Sequence, residues 1–72
     1  MKISLWGILM IKWTKVEAGH YESADNRFYI MQTYDRIYGN HWVLHDNNEP
    51  DRYKGRYDEK SLKDCKTKAE VL

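Results

Sequence analysis

Three histidines, one cysteine and a basic-aromatic run are the residues of this chain with chemistry to offer. His41 and His45 fall on one side of an extended segment, because side chains alternate along a strand. At ~3.3 Å per residue they stand about 13 Å apart, too far to share a metal ion without a bend. His20 could join one of them across strands, with Asp46 near in sequence, yet the spacing suits polar positions at or near the surface. No metal site and no cofactor is expected. Catalysis fares no better. No Cys-His or Ser-His arrangement comes together from the sequence. The glycines are scattered among turns and form no phosphate loop. The carboxylates alternate with Lys and Arg, as a solvated surface does. No catalytic residue is assigned, and the chain is expected not to be an enzyme.

Two binding surfaces remain. Arg52, Tyr53, Lys54 and Arg56, with Tyr57 after them, combine cations that hold phosphates with rings that stack on bases. Glu49, Asp51, Asp58 and Glu59 bracket this run and cancel much of its field. The other surface is Tyr29, Met31 and Val43, with Tyr21 beside them if its strand presents it there. Aromatic and Met side chains with few charges are what protein interfaces enrich.

The element that positions these residues is the stretch Arg27 to Asp46, two alternating runs around the turn signal Ile37-Tyr38-Gly39-Asn40. Phe28, Ile30, Gln32 and Tyr34 share one face of its first arm. Pairing the arms puts Phe28, Ile30, Trp42 and Leu44 over a core, with Tyr29, Met31, Thr33, His41, Val43 and His45 outward. Upstream, residues 12 to 18 read as a first strand that Gly19 breaks and that resumes through Glu22. Trp13 and Val16 differ in parity, so a bulge or an edge position is expected between them. Ser23-Ala24-Asp25-Asn26 supplies a turn, its Asp and Asn tolerant of left-handed backbone. Asn47 to Arg52, with the only Pro, is a loop, and residues 52 to 57 lead from it as a short extended piece. Ser61, three residues before Asp64, caps a helix on which Leu62, Cys65, Ala69 and Leu72 share a face. Cys65 is then a small apolar packing residue.

The expected fold is α+β: a three-stranded antiparallel sheet with one C-terminal helix packed across it. It is one domain, with an apolar extension over residues 1–9, strands over 10–46, a loop over 47–60 and the helix over 61–72. Lys2 followed by Ile3 to Ile11 resembles a signal sequence's apolar stretch, but it is too short to span a membrane and lacks a cleavage site. Met10 offers an alternative start. Leu5, Trp6, Ile8, Leu9 and Ile11 are too apolar to stay in water, so they add a strand, pack as a helical turn or pair two copies as a homodimer. Twelve basic residues against eleven acidic ones leave a charge of +1, without the electrostatic footprint usual for nucleic-acid binding. A lone cysteine fits a reducing compartment, hence the cytoplasm, with no membrane.

Several short motifs carry a resemblance over roughly residues 12 to 70. They are Trp13, Gly19-x-Tyr21, Arg27-Phe28-x-Ile30, Trp42-x-Leu44, Gly55-x-Tyr57 and Ser61-Leu62-Lys63-Asp64-Cys65-Lys66. Together they are similar to small phage and prophage proteins. The later half also resembles the sheet-plus-helix DNA-binding domains of ethylene-response factors and tyrosine-recombinase arm-binding regions. Those domains lay a basic sheet face in the major groove, whereas the outward hairpin face here has no Arg ladder. The resemblance implies a phage-type protein acting in a host cell on a host or phage protein complex. A non-enzymatic inhibitor or accessory factor of the anti-CRISPR or anti-restriction kind is expected, with nucleic-acid binding through the sheet and residues 52–57 as the alternative.

Overall fold

Gly19 does not interrupt a strand; it reverses one. The computed structural model describes residues 11–72. In it the chain runs β1 (Trp13–Glu17), β2 (His20–Ser23), β3 (Phe28–Asp35), β4 (Gly39–Asp46), β5 (Arg56–Glu59) and α1 (Leu62–Val71). The strands form one antiparallel sheet in sequence order. Among the described residues the sheet has five strands, not the three expected, while the α+β class and the C-terminal helix stand.

Both extra strands have physical causes. Gly19 takes φ +80°, open to a residue without Cβ, so residues 12–22 fold back as a hairpin of their own. β5 lies within residues 47–60, expected to be loop apart from a short extended piece over 52–57, and only Tyr57 among its residues is a strong strand former. It pairs because the outer edge of β4 is available and because Tyr57 packs against the core from there. The return is tight at Gly55, where a Cβ would lie 3.0 Å from the Asp46 carbonyl oxygen.

The central register is the one the alternation predicts. Tyr29 faces His45, Ile30 faces Leu44, and Gln32 faces Trp42. Val16 is skipped in the β1–β2 pairing, so β1 has both the bulge and the edge position offered by its parity. Asn26 holds the left-handed φ of +64° in the turn before β3. There the buried Ser23 hydroxyl accepts from the Phe28 amide (2.9 Å) and donates to Asp25 (2.7 Å). Arg27 donates to both carboxylate oxygens of Asp46, tying this turn to the end of β4.

Phe28, Ile30, Leu44, Cys65 and Ala69 form the buried core between sheet and helix. Trp13, Tyr21, Trp42, Tyr57 and Leu62 pack around it, half-buried. Ser61 caps the helix by accepting from the Asp64 amide, and Leu72 lies past its end, exposed rather than packed. No helix among the described residues is long and apolar enough to cross a membrane. The apolar extension expected over residues 1–9 lies outside the described residues.

Candidate binding site at the hairpin tip

β3 and β4 are eight residues each, against four or five for the other strands, so their shared hairpin outruns its neighbours. The last β3 residue paired with β2 is Met31, and the first β4 residue paired with β5 is Trp42. Beyond them Thr33, Tyr34 and Asp35 pair only with His41, Asn40 and Gly39. This tip carries Tyr34, Ile37 and Tyr38 at 67%, 85% and 68% exposure. It is nevertheless ordered. One oxygen of Asp35 accepts from the amides of Ile37 (2.8 Å) and Tyr38 (2.6 Å), so the side chain braces the turn beyond the last ladder pair, Asp35 with Gly39.

Directly beneath the tip lies a cleft of about 600 Å³ bordered by Tyr38, Asn40, His41, Asp58, Glu59, Lys60 and Asp64. His41 forms its floor, only 5% exposed. Its Nδ1 lies 3.1 Å from the Gly39 carbonyl oxygen and its Nε2 3.1 Å from Asp58 Oδ1. Asp35 Oδ2 is 3.8 Å from the same Nε2, and the Tyr38 ring stands edge-on to the imidazole at 5.6 Å. The Gly39 carbonyl, with Asp58 and Asp35 behind it, raises the His41 pKa above the ordinary histidine value against the opposing effect of burial. Arg56 donates to the same Asp58 oxygen at 3.0 Å and, with His41, holds that carboxyl below its usual range.

His45, on the same face of the same strand, is shifted the other way. Its ring stacks on Tyr29 at 4.4 Å, and burial, then the positive charges of Arg56 and Arg52, lower its pKa. His20 sits beside Glu22 at 3.3 Å. Among the described residues, no three His, Cys, Asp or Glu side chains gather as a metal site.

The four residues expected to form a protein-binding face do not share one. Tyr29 and Met31 are half-buried on the side away from the helix. Val43 is on that side too, but at 2% exposure it offers a partner almost nothing. Tyr21 pairs with Ile30, whose side chain is core, so Tyr21 faces the helix; its ring meets Trp42 and the Lys66 ammonium. The basic run is also divided. Arg52, Tyr53 and Lys54 are exposed, Tyr53 at 90%, whereas Arg56 is bound to Asp58. The tip itself escaped the sequence because Tyr34 shares the parity of the core and Ile37-Tyr38 fell inside a turn signal. Two bulky apolar residues in a turn, where Gly, Asn and Asp are usual, were the available clue.

No protein-family model matches the chain, and no curated protein or solved structure is detectably similar to it.

Proposed function

We propose that the chain is a small non-enzymatic binding protein that docks a protein partner through the tip of the β3–β4 hairpin. One observation carries this: Ile37 and Tyr38 are exposed on a turn whose amides Asp35 holds, with Tyr34 exposed on the hairpin's other face. Apolar side chains displayed on an ordered support lose little freedom on binding, so more of their burial is available as affinity. Tyr is among the residues that dominate such contacts. A net charge of +1 and carboxylates bordering the tip suit a protein surface better than a phosphate backbone.

The two groups nearest to catalytic chemistry support the non-enzymatic reading. As an imidazolium donating to both of its acceptors, His41 has no lone pair with which to take a proton from a substrate. Burial pushes the Cys65 thiol up to about 12, far from the thiolate a nucleophile needs. An inhibitor or accessory factor that occludes a host machine is the role such a module would fill, in line with the phage-type resemblance of its motifs.

A second reading has its own observation. Tyr53 projects between the exposed Arg52 and Lys54, neither of them ion-paired among the described residues, a geometry that suits single-stranded nucleic acid. The test opposes the two surfaces. Partner proteins captured by the wild type are purified and titrated against the wild type, against Tyr34→Ser/Ile37→Ser/Tyr38→Ser, and against Arg52→Ala/Lys54→Ala/Arg56→Ala. Direct binding lost only in the tip variant supports docking. Submicromolar binding to labelled DNA or RNA, abolished by the Arg-Lys variant, overturns it.

A further inference from the structure

We infer that His41 is a proton-operated clasp: as an imidazolium it ties the hairpin tip to β5, and as a neutral ring it lets go. The geometry favours the second proton. Nδ1 faces a carbonyl oxygen and Nε2 faces a carboxylate oxygen, and both of those atoms only accept hydrogen bonds here. A neutral imidazole donates from one nitrogen alone, so it must set a lone pair against either the Gly39 carbonyl or Asp58. Only the doubly protonated ring satisfies both in a site that is 5% exposed.

The surrounding charges agree. Asp35 on β3 and Asp58 on β5 are two carboxylates, matched by Arg56 and a protonated His41. Losing the His41 proton leaves one negative charge uncompensated there. Glu59, Lys60 and Asp64 also border the cleft, but Glu59 pairs with Trp42 and so lies on the helix face of the sheet. The clasp reaches the tip along a continuous path. Asp35 holds the turn amides with one oxygen and lies toward His41 with the other, while the Tyr38 ring rests against the imidazole. Opening therefore loosens the turn that displays Ile37 and Tyr38.

NMR on the whole chain tests this without any partner. His41 is expected to titrate above the ~6.5 of an unperturbed histidine. The Ile37, Tyr38 and Gly39 amide shifts should follow with the same midpoint, and backbone order over residues 36–39 should fall above it. Asp58→Asn should move the His41 midpoint down. His41→Gln should remove the tip's titration, and if that variant does not fold, the wild type and Asp58→Asn decide. A His41 midpoint at or below ~6.5, or tip resonances that ignore it, overturns the clasp. Tip shifts that instead follow His45, which titrates lower, overturn it equally. That the clasp also governs docking rests on the reading proposed above. A tip that tracks His41 yet binds no partner sustains the clasp and defeats only that reading.

Discussion

The two faces of this sheet are built on different physics. Against the helix, Phe28, Ile30, Leu44, Cys65 and Ala69 close a core from which water is gone. On the other face the same strands are joined by polar and aromatic pairs: Tyr29 stacked on His45, His20 edge-on to Tyr29, and His41 with Asp58, which Arg56 also holds. Burial of apolar surface is indifferent to pH and salt to first order, whereas these pairs depend on protonation and geometry. Among the described residues the second face keeps Val43 buried and Met31 half-buried. The contacts that cross its strands are nonetheless conditional ones, and conditional contacts are where regulation and recognition have room to act.

The sharpest way to break this comparison is to cut a methylene-rich side chain from each face. Leu44→Ala should lose about 2–5 kcal/mol in a urea titration, because Leu44 is fully buried and a cavity remains. Met31→Ala, half-buried on the other face, should cost clearly less. Equal losses would mean that both faces are cores. Ser61→Ala should cost about 1 kcal/mol by freeing the Asp64 amide, weakening the helix side through a polar contact and marking the lower end of that face's sensitivity.

Proton linkage sharpens the contrast within the polar face. A raised His41 pKa stabilises the fold at low pH, and that contribution is lost as pH rises through the folded value. A lowered His45 pKa works the opposite way, its contribution present above the unfolded value and lost as pH falls through the folded one. Denaturation midpoints measured from about pH 5 to 8, around the ordinary histidine value, should therefore fall more steeply with pH in His45→Gln than in the wild type. In His41→Gln the fall should vanish or reverse. The smallest expected effect is at the tip: Ile37→Ser should change stability by no more than about 0.5 kcal/mol, since its side chain is 85% exposed, while weakening partner binding.

Much of the helix-side architecture could be read from the residues themselves. Alternation from Phe28 to Leu44 gave the register, the parity of Trp13 and Val16 pointed to a bulge or an edge position, and Ser61 gave the helix start. These are local rules, satisfied by neighbours in sequence. β5 was hidden because its pairing is granted by β4 and not by its own propensity. The candidate site was hidden for the same reason. His41 looked like an outward polar residue because its acceptor Asp58 is on that unseen strand, and Asp35 is reached only once the hairpin closes. Tyr21 was misplaced because the reversal at Gly19 decides which side its ring takes.

Cys65 has a consequence beyond packing. It is the chain's one thiol, wholly enclosed and too weakly acidic to react where it sits. A thiol reagent reaches it only when the helix lifts from the sheet, so the wild-type sequence contains its own reporter of opening. Where reclosing outpaces modification, the labelling rate in native buffer divided by that of the unfolded chain gives the fraction of molecules open at any moment. No label, tag or substitution has to be introduced, and the quantity can be followed with a partner added or with the pH changed.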